Sequence, residues 1–186
     1  MDKGYEFQVY MADLLATSGY LEGQIFSTGL PRGTAYKHDE ALLRLGRSRY
    51  TSPDIMVMNK WLEGPQIEFR FGLACSRRDR EYKRDGVDCS CSIPEYQRDD
   101  LLRIAKDKQL TVYHVFGIKT GDEYAVGVTE PGVGDYRWLQ EDQSTGRPRW
   151  YVSYDPDKLW TWSEFLNARI EAGDKEPNLK ALQGYS

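Results

Sequence analysis

The residues of this sequence that are best suited to chemistry lie on two stretches that we predict to form a β-hairpin. Asp54 precedes a short apolar segment, 55–58. A second stretch, 66–78, alternates apolar residues with others at a spacing of two, which is typical of a β-strand. If the turn between them centres near residues 62–64, Asp54 lies opposite residues 70–74. A carboxylate there is suited to a hard divalent cation, although one carboxylate alone holds such a cation poorly in water.

This arrangement resembles the PD-(D/E)XK nuclease superfamily, with the restriction-endonuclease-like fold, whose members carry Pro-Asp at the start of one strand and Glu-x-Lys on the next. Pro53 and Asp54 match the first part of the motif, whereas the tripeptide at the second part is Ala74, Cys75 and Ser76. The resemblance implies that Asp54 binds Mg²⁺ or Mn²⁺ in an active member. Ala74 and Ser76 then stand where the second carboxylate and the lysine would be, so it implies a nuclease fold with a degraded metal site.

Two predicted helices carry further candidates that the resemblance supplies. Residues 4–18 have apolar positions at helical spacing, and Glu6 lies where many members place an acidic metal ligand. A solvated helix face is the alternative explanation for Glu6. The sequence from Ser92 to Glu95 has the form of a capping box and predicts the start of a second helix. That helix carries Gln97, where superfamily members often present a polar residue to the catalytic site.

A basic run directly after the candidate strand is the best phosphate-binding candidate in the chain. Between residues 77 and 84 the sequence has five basic side chains and only two acidic ones. The alternative interpretation of this run is a solvated loop of mixed charge. The net charge of −4 argues against a protein that coats nucleic acid by charge alone, so any nucleic-acid site must be local. The predicted phosphate-binding residues are Arg77, Arg78, Arg80, Lys83 and Arg84.

The order of the later elements predicts the fold class. Strands are expected at 110–118 and 123–129, and the first of them follows the second helix after a short link. A strand, a helix and a strand joined in this way form a crossover between parallel strands. We therefore predict an α/β protein with a mixed central β-sheet flanked by helices. His114 lies inside the central strand and is expected to be a packed or hydrogen-bonded core residue.

We predict a single restriction-endonuclease-like domain over residues 1–171. Its core covers about residues 4–130. A C-terminal hairpin and a helix from 157 to 170 complete the domain within residues 131–171. Residues 172–186 are expected to form a flexible tail. The chain is long enough for a sizeable core. It lacks an apolar run of the ~18 residues that a membrane span needs. It also lacks the pattern of a signal peptide, so a cytoplasmic location is expected.

Three functions remain open at this point. The first is a nuclease-fold protein that has lost catalysis and binds nucleic acid, with DNA as the expected partner, RNA as the alternative, and a homodimer as a further expectation. The second is an active DNA endonuclease that uses Mg²⁺ or Mn²⁺ and takes its other ligand from Glu6 or Glu68. The third is a protein-interaction or immunity-type domain that binds a protein through the aromatic hairpin 136–154. The groups that could replace the lysine in the second case are Arg70, Arg77 and Gln97.

Overall fold

The computed structural model describes residues 3–20, 24–27, 53–58, 69–78, 82–142 and 145–174. The α-helices among them are α1 (Lys3–Thr17), α2 (Glu95–Asp107) and α3 (Trp162–Glu171). The strands are β1 (Ile25–Ser27), β2 (Ile55–Met58), β3 (Phe69–Arg78), β4 (Lys83–Arg84), β5 (Val87–Asp88), β6 (Ser92–Pro94), β7 (Thr111–Thr120), β8 (Glu123–Thr129), β9 (Tyr136–Glu141) and β10 (Pro148–Ser153). Short 3₁₀ turns lie at Pro131–Val133 and Pro156–Lys158.

The central sheet is mixed and has the strand order β1-β2-β3-β7-β8. β3 and β7 run parallel, with Phe71 beside Thr111 and Arg78 beside Ile118, and the other neighbours are antiparallel. α2 lies between β3 and β7 in the chain and makes the crossover that parallel neighbours require. The predicted α/β class with a mixed sheet flanked by helices is therefore confirmed.

Apolar side chains pack on both faces of the central sheet, because successive side chains of a strand point to opposite sides. On one face, Phe71 and Leu73 of β3 are fully buried against Phe7 and Met11 of α1. We call this the α1 face. On the opposite face, which we call the α2 face, Ala74 of β3 lies in a smaller apolar cluster with Met56, Leu101, Leu110 and Val112.

A second, antiparallel sheet is formed by β6, β10 and β9. The predicted hairpin of β9 and β10 is present, but Ser92 lies in β6 opposite Ser153 instead of capping the next helix. Its hydroxyl donates to the carbonyl oxygen of Cys89 at 2.5 Å. α2 begins at Glu95 without a side-chain cap, and the Glu95 carboxylate binds Arg137. The predicted capping box is therefore wrong, because strand pairing removes the serine from the helix start.

The sequence predicted that the last helix begins at residue 157. In the structure this helix begins at Trp162. Trp160 and Val128 exchange backbone hydrogen bonds of 2.9 Å, which holds the preceding segment extended along the edge of β8. The hydroxyl of Thr161 then accepts the backbone N–H of Glu164 at 3.2 Å and caps α3. None of the described helices is long and apolar enough to cross a membrane.

The chain stays packed beyond the predicted start of the tail at residue 172. Asp174 is buried, and its carboxylate accepts hydrogen bonds from Arg169 at 2.9 Å, Arg70 at 2.8 Å and Tyr20 at 2.6 Å. These bonds join the end of α3 to β3 and to the chain just after α1. Residues 175–186 lie outside the described part of the chain.

Candidate functional site

The register of the β2–β3 hairpin determines where Asp54 lies. Ile55 pairs with Leu73 in an antiparallel ladder. Continuing that ladder by one residue brings Asp54 beside Ala74, at one end of the range predicted from the sequence. The rival carboxylate Glu68 lies outside the described residues.

The carboxylate of Asp54 is held by two neutral hydrogen-bond donors. Oδ2 accepts the backbone N–H of Cys75 at 2.6 Å, and Oδ1 accepts the side-chain amide of Gln8 at 3.1 Å. Burial raises the pKa of Asp54 to about 6, and the N–H of Cys75 opposes this rise only in part. Gln8 was not among the predicted site residues, since no pattern in the sequence connects α1 with the start of β2.

Ala74 and Ser76 lie on the same side of β3, as their spacing of two requires. Ala74 is 7% exposed and belongs to the apolar cluster of the α2 face. The Ser76 hydroxyl lies 2.9 Å from Nε2 of His114 on the neighbouring strand β7. The position predicted for the second carboxylate thus holds a methyl group, and the position predicted for the lysine holds a hydroxyl in contact with an imidazole.

His114 is a buried core residue, as predicted, but it also contacts the candidate site. Its ring lies against those of Phe116 and Tyr154, at centroid distances of 4.4 Å and 6.4 Å. Burial lowers the pKa of His114 to about 3, so the imidazole is neutral near pH 7. Nδ1 has no hydrogen-bond partner among the described residues. Among the described residues, no group accepts from or donates to Nδ1 and so orients the ring, as the third member of a hydrolase triad would do.

The ligands that the described residues offer at this site do not fit Mg²⁺ or Mn²⁺. Hard cations of this kind prefer several oxygen ligands at about 2.0–2.6 Å. Asp54 offers one carboxylate whose oxygens both accept hydrogen bonds, and Ala74 offers none. Within the described ranges, no three His, Cys, Asp or Glu side chains come together as a metal site would need.

Glu6, the predicted second ligand, is engaged elsewhere in the structure. Its carboxylate accepts a hydrogen bond from Lys119 at 2.6 Å and lies 3.7 Å from Arg77. The hydrogen bond with Lys119 lowers the pKa of Glu6 more than any other contact does. Gln8, one half-turn further along α1, is the side chain that contacts Asp54 instead.

Gln97 lies in the first turn of α2, as predicted, but its side chain binds a neighbouring residue. The side-chain amide donates to the hydroxyl of Tyr96 at 3.2 Å in an exposed position. The structure therefore does not bring Gln97 into hydrogen-bond contact with Asp54. Its role at the site remains a prediction.

The predicted basic run does not form one continuous surface. Arg77 and Arg78 are consecutive residues of β3, so their side chains leave the sheet on opposite faces. Arg77 is near Glu6 on the α1 face, whereas Arg78 donates from Nη1 to Sγ of Cys91 at 2.6 Å. Arg80 lies outside the described residues.

Lys83 and Arg84, the other two residues of the run, form the short strand β4. The guanidinium of Arg84 lies 5.2 Å from the ring centre of Trp138, and the neighbouring ring of Tyr82 is 40% exposed. We call Tyr82, Lys83 and Arg84 the β4 surface. It combines two basic side chains with an aromatic ring. Sites for single-stranded nucleic acid use this combination, in which basic groups contact phosphates and aromatic rings stack on bases.

The structure is similar to that of Hjc, a Holliday junction resolvase from the archaeal hyperthermophile Archaeoglobus fulgidus. The two align with a TM-score of 0.49 and 10% sequence identity, over 89% of this chain and 97% of the other. No family model matches the sequence. No curated protein matches it either. At this distance the likeness gives no role to any residue, and the functional conclusion depends on the site of this chain.

Proposed function

We propose that this chain is a nuclease-fold protein that binds DNA without hydrolysing it. The observation that carries the proposal is the pair Ala74 and Ser76 beside Asp54. Metal-assisted hydrolysis of a phosphodiester needs a cation that activates water and offsets charge on the phosphate. The methyl group of Ala74 cannot bind that cation, and the hydroxyl of Ser76 is bound to His114.

The hydrogen bonds of Asp54 support the same conclusion. Burial raises the pKa of Asp54 to about 6, so the carboxyl is mostly ionised at pH 7 and its protonation state does not decide the question. Both of its oxygens are held by groups of the fold, the backbone N–H of Cys75 and the side-chain amide of Gln8. Asp54 is therefore better explained as a group that fixes the end of β2 than as an ion ligand.

DNA binding is assigned to the β4 surface. Lys83 is exposed and Arg84 is half-buried, so both can reach phosphate groups, while the ring of Tyr82 can stack on a base. Within the predicted basic run, Arg77 and Arg78 make other contacts, and Arg80 lies outside the described residues. Lys83 and Arg84 are therefore the members of that run to which we assign phosphate binding.

The catalytic half of the proposal is tested by a cleavage assay on DNA and RNA substrates with Mg²⁺ or Mn²⁺. We expect no cleavage by the unaltered protein. Cleavage that disappears in Asp54→Ala would contradict the proposal and favour the active endonuclease with Glu6 or Glu68 as the other ligand. Gain of cleavage in the double variant Ala74→Glu/Ser76→Lys would support the assignment of β3 as the former catalytic strand.

The binding half is tested by fluorescence anisotropy with a DNA duplex over a series of salt concentrations. Each lost phosphate contact reduces the slope of log affinity against log salt by about 0.9. We expect Lys83→Ala/Arg84→Ala to reduce that slope by about two. The control Lys106→Ala/Lys108→Ala removes the same charge from the exposed end of α2 and should leave the slope unchanged. Equal slopes in both double variants would contradict the assignment, and tighter binding of an RNA strand would make RNA the partner.

A further inference from the structure

The second sheet has one face that packs against the central sheet and one face that points away from it. Val152 of β10 and Ile93 of β6 lie in an apolar cluster with Phe116 of the central strand β7. Because side chains alternate along a strand, Tyr151 of β10 and its partner Trp138 of β9 project from the opposite side. We call this opposite side the outer face. Its members in β9 and β10 are Tyr136, Trp138, Gln140, Arg149, Tyr151 and Ser153.

The β4 surface packs on part of the outer face through aromatic contacts. The ring centre of Tyr82 lies 5.8 Å from that of Trp138, and the Trp138 ring stacks on Tyr151 at a centroid distance of 4.6 Å. The guanidinium of Arg84 lies 5.2 Å from the centre of the same Trp138 ring. Trp138 is buried, and its Nε1 donates to the hydroxyl of Ser153 at 2.7 Å. Tyr82 is therefore the exposed end of a row of rings whose inner members are fixed by the fold.

A second exposed aromatic ring lies where the outer face meets the start of α2. Arg149 lies two residues from Tyr151 on the same side of β10, about 7 Å along the strand. Its guanidinium is 5.3 Å from the ring centre of Tyr96, a residue that is 47% exposed. Nη2 of Arg149 also lies 2.6 Å from the carboxylate of Asp142, and this ion pair offsets the charge of the guanidinium. Arg149 therefore offers a flat surface beside Tyr96 more than a charge for a phosphate.

The exposed rings and the cations of β4 together have the composition of a site for single-stranded nucleic acid. Such sites combine basic groups that follow the phosphates with aromatic rings on which successive bases stack. The planes of arginine guanidinium groups also stack on unpaired bases. In a duplex each base is already paired and stacked, and removing it costs free energy. Tyr82 and Tyr96 are therefore suited to a strand whose bases are unpaired.

We propose that the β4 surface and the outer face together bind a short single-stranded segment of DNA. One base stacks on Tyr82, and another stacks on Tyr96 beside Arg149. Lys83 and Arg84 contact the phosphates near Tyr82. This inference rests on the proposed DNA binding and names its substrate class, a strand with unpaired bases. It also gives a ligand to the aromatic hairpin 136–154, to which the proposed function assigns none.

The experiment compares a single strand with a duplex by fluorescence anisotropy at one salt concentration. The labelled strand has about 15 deoxynucleotides, within the size range of known single-strand sites, and the duplex contains the same strand. We expect the single strand to bind about tenfold more tightly than the duplex. Tyr96→Ala and Tyr82→Ala should each weaken binding of the single strand about tenfold, as the loss of one stacked base does. Both variants should leave the affinity for the duplex unchanged.

Two control variants separate stacking from other effects of substitution. Tyr96→Phe keeps the aromatic ring and should keep the affinity for the single strand. Leu102→Ala removes another exposed side chain from α2 and should change neither affinity. Because Tyr82 and Tyr96 lie in different elements of the fold, a folding defect in one alanine variant leaves the other variant as the test.

The outcomes separate this inference from the proposed function. A preference for the single strand that is lost in Tyr96→Ala and in Tyr82→Ala supports the inference. Equal affinities for strand and duplex, or a preference that neither alanine variant reduces, overturn the inference and leave the proposed DNA binding intact. Failure to bind either form of DNA refutes the proposed DNA binding and the inference with it.

Discussion

The two faces of β3 differ sharply in the side chains that they carry. On the α1 face, Phe71 and Leu73 are large, fully buried and packed among aromatic rings from α1, β7 and α3. On the α2 face, Gly72, Ala74 and Ser76 are small, and the Ser76 hydroxyl contacts the buried imidazole of His114. One side of the strand thus carries large packed rings, and the other side carries small side chains and a polar contact.

Among substitutions on the two faces of β3, the largest loss of stability is expected at Phe71. Its ring packs edge-on against Phe165 at 5.6 Å and Tyr113 at 6.1 Å, and the guanidinium of Arg169 lies 4.6 Å from its centre. Phe71→Ala should lower the free energy of unfolding by about 3–5 kcal/mol, measured by urea denaturation. Ala74→Gly on the α2 face should cost about 1–2 kcal/mol. Equal losses at the two positions would contradict the contrast between the faces.

The second-largest effect is an increase in the free energy of unfolding, and it concerns the buried carboxyl of Asp54. Below about pH 4 the group is protonated in both the folded and the unfolded chain, so it adds no pH dependence there. As pH rises towards the folded-state pKa of about 6, the unfolded chain loses its proton first and stability falls. Above that pKa the loss is complete, at about 3 kcal/mol.

Asp54→Asn should remove this loss, because the amide keeps an acceptor for Cys75 and is always neutral. It also supplies donors to Gln8, whose Oε1 is buried without a partner among the described residues. We expect the variant to be more stable than the unaltered protein at pH 8 and equally stable at pH 4, by urea denaturation at both values. A variant that is less stable at pH 8 would show that the ionised carboxylate stabilises the fold.

A smaller effect is expected at Gly117 on β7, where the α1 face lies close to Phe7 of the helix. A Cβ at this position would overlap the ring of Phe7, so Gly117→Ala should cost about 1–3 kcal/mol through overpacking. The matched control is Gly132→Ala, where the nearest side-chain atom, in Leu102, lies 3.8 Å from the new Cβ. Thermal unfolding of both variants checks the prediction, and similar midpoints would contradict it.

The smallest of these effects is expected at Ser76. Ser76→Ala removes the hydroxyl that contacts Nε2 of His114 and leaves both imidazole nitrogens without a hydrogen-bond partner in the described part of the chain. A lost buried hydrogen bond of this kind costs about 1–2 kcal/mol. Denaturant unfolding at pH 7 measures this cost. A loss as large as that of Phe71→Ala would mean that the α2 face also holds the core together.

The sequence predicted the hairpin of β2 and β3 because two local signals agreed, the alternation along 66–78 and the turn residues between the strands. These signals also set the register well enough to bring Asp54 near Ala74. The crossover and the mixed sheet followed from element order, since a helix between two strands with a short link leaves few topologies. The capping box at Ser92 failed because strand pairing with a distant segment outweighed a local helix signal.

The sequence by itself determined the order of the elements and the residue types at positions 54 and 74–76, because both depend on residue type and on spacing along the chain. Tertiary structure alone decided that Ser76 meets His114, that Gln8 meets Asp54, and that Arg149 meets Tyr96. Each of these contacts joins residues that are far apart in the chain. They depend on the register between parallel strands and on how helices and loops pack against the sheet, which no local pattern encodes.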